Sequence, residues 1–173
     1  MDLKNYIASI PGFPKEGIIF RDVTPILQNA DVMRSVIDAF DAFVKEQNAD
    51  FILAPEARGF LFGTTVAMEC GIGFAPVRKP GKLPRKSISE TYQLEYGTDE
   101  LCIHADAIQP GQKVVVIDDL LATGGTVEAI IKLVHKMGGE VVGCAFVIEL
   151  DDLNGKERFG DIPVCSLTHF AGE

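Results

Sequence analysis

The segment Val114-Val-Val-Ile-Asp-Asp-Leu-Leu-Ala-Thr-Gly-Gly-Thr126 constrains the chain more than any other. Four β-branched residues run into two aspartates, and a short loop ends in Ala122-Thr-Gly-Gly-Thr126. Helical spacing then takes over at Val127, Ile130, Ile131, Val134 and Met137. The pattern predicts strand, loop, helix. A continuous apolar strand fits burial on both faces, as in a parallel sheet covered by helices. The loop opens a helix, where backbone N–H groups are unpaired and the helix dipole is positive, so it predicts a phosphate site. Thr123 and Thr126 add hydroxyl donors to the backbone of Gly124 and Gly125. Asp118 and Asp119 are placed to accept hydrogen bonds from sugar hydroxyls or to sit near a metal. The expected ligand therefore carries a phosphate and a polyol. Neither a Walker loop nor a Gly-x-Gly-x-x-Gly fingerprint is present.

The rest of the chain repeats the rhythm. Residues 2–9 predict a short helix with Leu3, Tyr6, Ile7 and Ile10 on one side, broken by Pro11-Gly-Phe-Pro14. Gly17 to Pro25 reads as a strand or turn lying over something. Asn29 or Asp31 caps the next helix, whose apolar face is Val32, Val36, Ile37, Phe40, Phe43 and Val44. Phe51–Ala54 predicts a buried strand, 55–59 a loop, 60–69 a helix and 73–77 another strand. Gly138-Gly139 stops the helix after the opening loop, and 141–150 is a further buried strand. Residues 151–161 read as polar loop, and 163–167 as a short last strand. Strand and helix in alternation predict an α/β fold: a central, mostly parallel sheet with helices on both faces. Ligands of such sheets bind beyond the carboxyl ends of the strands, so loops 55–59, 78–86 and 118–126 can face one crevice.

Residues 78–104 break that rhythm. Arg78 to Lys86 holds five basic residues in nine and no acid, in a chain of net charge −9. A basic run is usually a solvated face. This one follows a strand end, carries Pro80-Gly81 and Pro84, and suits a mobile lid over an anion. Ser87 to Glu95 alternates as an exposed two-stranded ribbon does, with Leu101–Ile103 as a return strand. In Glu56-Ala-Arg-Gly59, Gly59 permits close approach of a ligand and Arg58 is suited to fork onto phosphate oxygens; a capping arginine on a surface loop is the plainer reading. Phe20 reads equally as a core aromatic.

With 173 residues, 47% apolar and 24% charged, the chain predicts one globular domain and excludes a disordered one. The acidic balance argues against nucleic acid and anionic membranes as partners. The start has no apolar signal core, and no 18-residue apolar run occurs. Four cysteines without metal spacing predict reduced, buried thiols and a cytoplasmic location. Histidines 104, 135 and 169 are scattered.

These stretches together resemble the type I phosphoribosyltransferase family. Val114 to Thr126 is similar to its phosphoribosyl pyrophosphate (PRPP) signature. Phe13-Pro, Gly-Ile-Ile-Phe-Arg-Asp22, Glu-Ala-Arg-Gly-Phe-Leu-Phe-Gly63, Arg-Lys-Pro-Gly-Lys-Leu-Pro84 and Tyr-Gln-Leu-Glu-Tyr-Gly97 resemble its adenine-using branch, in the expected order over residues 13–150. The resemblance implies a Rossmann-like single domain over 1–173. A small hood comes from 1–30 and the C-terminal segment, and a flexible lid ribbon from about 79–104. It implies purine salvage: adenine plus PRPP gives AMP plus pyrophosphate, with Mg2+ carried mainly by PRPP near Asp118 and Asp119, in a homodimer. On that basis Ala122, Thr123, Gly124, Gly125 and Thr126 hold the 5′-phosphate, and Asp118 and Asp119 face the ribose. Glu56, Ala57, Arg58 and Arg78 receive pyrophosphate, helped by Lys79 and Lys82, in a loop implied to hold a non-proline cis peptide. Glu95 and Tyr96 lie near the reacting base, Glu95 either relaying a proton or orienting it. Adenine lies between Phe20 and Leu150, its edge read by the backbone of Ile19 and Arg21.

One departure is Cys102, where the family commonly has an acid; it bears on packing or the subunit contact. A 6-oxopurine transferase remains the alternative within the class. A non-catalytic PRPP-sensing regulator is the alternative outside it, although the roughly 50 residues before Phe51 are not basic and suit no DNA-binding module.

Overall fold

The computed structural model describes residues 1–94 and 96–171. Its centre is a five-stranded, all-parallel sheet made of β3 (Phe51–Pro55), β4 (Gly73–Val77), β7 (Lys113–Leu121), β8 (Glu140–Leu150) and β9 (Val164–Phe170), in the order β4-β3-β7-β8-β9. The middle strand is the one that carries Val114 to Ile117. Its alternate residues feed two cores. Val114 and Val116 pack with Leu53, Val127, Ile130 and Phe146 beneath α4 (Gly125–Lys136). Val115 and Ile117 pack with Ile52, Phe40 and Phe62 beneath α2 (Ala30–Glu46) and α3 (Arg58–Cys70). Burial on both faces is why this strand shows no polar alternation.

Local signals fix the helix ends. Asn29, not Asp31, caps α2, accepting from the backbone N–H of Asp31 at 3.1 Å and Val32 at 3.2 Å. α3 stops at Gly71, which takes the left-handed conformation at φ 69°. α3 starts at Arg58, two residues earlier than the apolar spacing predicts, so Arg58 belongs to a helix N-terminus rather than to a free loop.

Three expectations are corrected. Residues 2–9 are not one helix: a 3-10 turn over Leu3–Tyr6 precedes β1 (Ala8–Pro11), which pairs antiparallel with β2 (Ile19–Asp22). β7 does not end before the aspartates but runs to Leu121, because β8 continues beside it and pairs Asp118 with Phe146 and Leu120 with Ile148. The polar stretch 151–161 is ordered as two 3-10 turns, Asp151–Leu153 and Gly155–Phe159, with Phe159 buried against Phe146 at a ring separation of 6.3 Å. A four-residue helix, α1 (Thr24–Leu27), links the hairpin to α2. The lid region is the antiparallel ribbon expected, β5 (Ser87–Gln93) with β6 (Thr98–His104). Cys102 lies in β6 and is buried, its backbone bridged to Arg78.

Candidate active site

At the carboxyl end of β7 the chain turns through Ala122 and Thr123 into α4. Gly124 caps that helix at φ 83°, a conformation that favours glycine, and no side chain caps it. The first N–H groups of α4 are therefore free for an anion. A small cavity of about 90 Å3 lies here, walled by Asp118, Ala122, Thr123, Gly125 and Thr126. The 3-10 turn at Gly155–Phe159 backs the loop. A Cβ on Gly155 would overlap the Ala122 carbonyl oxygen and stand 3.1 Å from the Gly124 nitrogen. That turn is pinned by Phe159 in the core and by Lys156 Nζ, 3.1 Å from buried Glu149. The side chains of Glu149, Asp151 and His169 bring ligand atoms within 4.8 Å of one another. Lys156 and the Ser166 hydroxyl, donating at 2.6 Å, already serve Glu149 there.

The second anchor is the N-terminus of α3, which also lacks a side-chain cap. Arg58, its first residue, donates from Nε to Asp119 Oδ2 at 2.5 Å. Burial works against the Arg58 charge, but Asp119, Asp118 and Asp22 together outweigh it and hold its pKa above the usual value. Asp119 is 4% exposed and bound to this guanidinium at the wall of the crevice. Asp118 differs: burial first, then the charge of Asp119, pushes its pKa well above the usual carboxylate range. Gly59 lets the chain pass close to it, since a Cβ there would stand 3.0 Å from Asp118 Oδ1. A cavity of about 200 Å3 spans Glu56, Arg58, Lys79, Tyr92, Asp118 and Thr126, and so joins the two helix N-termini.

Within the basic run Arg78, Lys79, Lys82 and Arg85 are paired with carboxylates. Glu56 accepts from the Lys79 backbone N–H at 2.7 Å, from Lys82 Nζ at 2.5 Å and from Arg78 Nε at 3.3 Å. Burial opposes the Glu56 charge, and these donors overcome it, lowering its pKa. Lys79 Nζ pairs with Asp99 and donates to the Tyr92 hydroxyl at 3.1 Å, tying the run to the ribbon. The Glu56–Ala57 peptide is cis, as the resemblance implied.

Under the β1–β2 hairpin is a third cavity of about 490 Å3, walled by Ile10, Phe13, Phe20, Asp22, Thr24 and Arg58. Its walls are mainly apolar, and Phe13 meets Phe20 edge to face at 5.3 Å. Arg58 stands 5.2 Å from the Phe20 ring and borders this cavity as well as the one above α3. The Arg21 side chain is drawn away, bonded to Ser9 and stacked 4.2 Å over Phe170. Its backbone is what remains on the hairpin edge.

Most of the expected residues thus converge. Leu150 does not wall the apolar cavity; it is buried in the core below. Tyr96 is 85% exposed, and Glu95 lies outside the described residues. Ile10, Phe13, Asp22, Thr24 and Tyr92 were missed, as was the whole segment Gly155 to Arg158. Phe13, Asp22 and Tyr92 lie in stretches that carry the family resemblance, and Tyr92 also in the ribbon alternation; Ile10, Thr24 and the segment 155–158 have no local signal.

A sequence profile of the phosphoribosyl transferase domain matches residues 22–170. The adenine phosphoribosyltransferase of Thermoanaerobacter pseudethanolicus superposes with a TM-score of 0.94 at 49% identity, over 97% of this chain and 98% of that one. That of Rhodothermus marinus gives 0.92 at 47%, over 97% and 96%. That of Saccharomyces cerevisiae, solved with an imino-altritol bisphosphate and adenine, gives 0.90 at 41%, over 96% of each chain. Two uncapped helix N-termini across one crevice, an adjoining apolar pocket and these matches over nearly the full length place the chain in the phosphoribosyltransferase family, among its adenine phosphoribosyltransferases.

Proposed function

We propose that this chain transfers the 5-phosphoribosyl group from PRPP to adenine, giving AMP and pyrophosphate, in purine salvage. The observation that carries the reading is spatial. Two anion-binding helix ends, at α4 and α3, lie across one crevice, with carboxylates between them and an apolar, aromatic pocket adjoining. PRPP has a phosphate at one end and a pyrophosphate at the other, with a ribose between. Its relatives are adenine phosphoribosyltransferases, one of them solved with adenine bound.

The 5′-phosphate rests on Ala122 to Thr126, which hold it by backbone N–H groups and the Thr123 and Thr126 hydroxyls. Pyrophosphate lies at the α3 N-terminus against Arg58, with Ala57 in the turn before it. Arg78, Lys79 and Lys82 exchange Glu56 and Asp99 for the pyrophosphate oxygens. Breaking the C1′ bond leaves a cationic ribose and a highly charged leaving group, so fixed cations here act where charge develops. Asp118 and Asp119 set negative charge beside the cationic sugar. Asp118 and Asp119 bring two adjacent carboxylates, hard oxygen donors, to the wall of the crevice, so the site fits Mg2+. When bound, Mg2+ neutralises charge on the pyrophosphate oxygens. Adenine stacks on Phe20 under the hairpin, where the backbone of Ile19 and Arg21 reads its edge. Glu95, with Tyr96 beside it, acts at the base, and closure of the ribbon over the crevice excludes water.

The same reading takes the chain as a single domain, with a hood from residues 1–30 and the C-terminal segment and a lid over about 79–104. It acts in the cytoplasm as a homodimer, to which Leu61 and Met68, exposed on α3, offer an apolar face. Among the described residues no helix is long and apolar enough to cross a membrane. The test is a spectroscopic assay with PRPP, Mg2+ and each purine base in turn. AMP from adenine, faster than nucleotide from hypoxanthine or guanine, is expected. No AMP, or faster use of a 6-oxopurine, refutes the reading.

A further inference from the structure

We propose that Arg158 is a further substrate-binding residue, whose guanidinium leaves Glu128 and closes onto the 5′-phosphate held by the Ala122–Thr126 loop. The proposal rests on the phosphoribosyl reading of that loop and deepens it. Arg158 comes from the 3-10 turn that backs the phosphate loop, and its Cδ lies 3.3 Å from where a Cβ on Gly124 would stand. Its side chain therefore runs along the cradle. A cavity of about 470 Å3 opens above the loop, walled by Thr123, Gly125 and Thr126 below, by Tyr92 and Gln93 of the ribbon above, and by Arg158 at its edge.

This guanidinium is paired with Glu128, with NH1 at 2.9 Å from Oε2. Glu128 sits in the first turn of α4. A carboxylate there draws on the same positive helix end that the phosphate uses, and repels the phosphate if left bare. Arg158 first, and then Lys132, overcome partial burial to hold its carboxyl below the usual range. Lys132 Nζ lies 3.3 Å from the other carboxylate oxygen, one helical turn along. When a phosphate dianion arrives, Arg158 can therefore move without baring Glu128, because Lys132 stays. The Arg158–Glu128 pair is partly solvated, with side chains 52% and 31% exposed, so it is weak. A planar guanidinium forked onto two oxygens of a dianion is the stronger contact. Lys156, two residues earlier, has no such freedom, being held on buried Glu149.

The experiment uses the full chain, with ribose 5-phosphate probing the phosphate end and pyrophosphate the other. In Arg158→Gln we expect inhibition by ribose 5-phosphate to weaken about tenfold and KM for PRPP to rise in step. Inhibition by pyrophosphate and KM for adenine stay at wild-type values, which also shows that the site is folded. Arg158→Lys recovers part of the loss, since it returns the charge but not the fork. The double variant Glu128→Gln, Arg158→Gln stays as weak as Arg158→Gln alone. Wild-type ribose 5-phosphate affinity in Arg158→Gln overturns the proposal. So does recovery in the double variant, because Arg158 then acts only by silencing Glu128. Failure of the functional reading looks different: the wild-type chain itself makes no AMP.

Discussion

Replacing Gly155 by alanine isolates the contact between the Gly155–Phe159 turn and the phosphate loop. The backbone at Gly155 is not left-handed, so the substitution carries no conformational penalty of its own and acts through volume alone. The added Cβ overlaps the Ala122 carbonyl oxygen and stands 3.0 Å from Leu121 Cδ1 and 3.1 Å from the Gly124 nitrogen. Two backbone segments must separate by about 1 Å to restore an ordinary carbon–oxygen contact of about 3.3 Å. Neither is free to do so. The turn is anchored by Phe159 and by the Lys156–Glu149 pair, and the loop is the junction of β7 and α4. Overpacking of this kind costs about 2 kcal/mol, or about 4–8 °C in Tm for a domain of this length. On the proposed function, the shift also misplaces backbone donors to the 5′-phosphate. Losing one hydrogen bond to a charged group, worth about 1.5–3 kcal/mol, raises KM for PRPP by about 10- to 100-fold. KM for adenine and affinity for pyrophosphate stay unchanged, because their cavities lie beyond Asp118. Thermal melts and steady-state kinetics on one preparation read both effects. An alanine variant with wild-type Tm and wild-type KM for PRPP refutes the claim that this turn fixes the cradle.

Two other substitutions probe the charges in the crevice. Glu56→Gln removes the carboxylate that holds Lys82, the Lys79 N–H and Arg78; its folded pKa is lowered, so its stabilisation exists above the usual carboxylate pKa and disappears as pH falls through the folded value. After discounting for exposure of the lysine and arginine, the variant loses about 1 kcal/mol at pH 7 and converges with wild type only once pH has fallen below the lowered folded value, while pyrophosphate binds several-fold tighter to the released cations; weaker pyrophosphate binding contradicts this account. Asp118→Asn works in the opposite sense. The folded pKa of Asp118 is raised, so its ionised form costs stability as pH climbs from the unfolded value through the folded one. The amide variant should melt higher than wild type at pH 8, with the gain vanishing near about pH 4, and should turn over more slowly; a lower melting point at pH 8 removes the argument.

The β7–loop–α4 unit was legible because three independent local signals coincide there: a β-branched run, glycines at a tight turn and a resumed helical period. The alternation of helix and strand gave the parallel sheet for the same reason. The N-terminal hairpin was not legible. Leu3, Tyr6, Ile7 and Ile10 are spaced like a helix face, yet a 3-10 turn followed by a strand also turns Ile7 inward. The segment 151–161 looked like plain polar loop, since single 3-10 turns have no repeating period to detect. Its role depends on Gly155 meeting Ala122, a contact across more than thirty positions that leaves no trace in local pattern. The Arg58–Asp119 pair is invisible to local pattern for a similar reason: the two residues are 61 positions apart. Composition suggested a free basic lid, but only the folded chain shows each of Lys79 and Lys82 already matched to a carboxylate.

The hood has a kinetic consequence. Arg21 of β2 leans on Phe170 at the end of β9, and Lys4 lies 5.1 Å from the same ring. These contacts join positions separated by nearly the whole sequence, so the loop they close is the longest in the fold and among the last to form. The hairpin has only one partner strand for each strand and little apolar cover, and it opens before the parallel sheet does. Amide exchange should therefore be faster over 8–22 than over 114–117. On the proposed function, recognition of the base falls to the region that folds late and opens early, while the phosphate end adjoins the protected central strand.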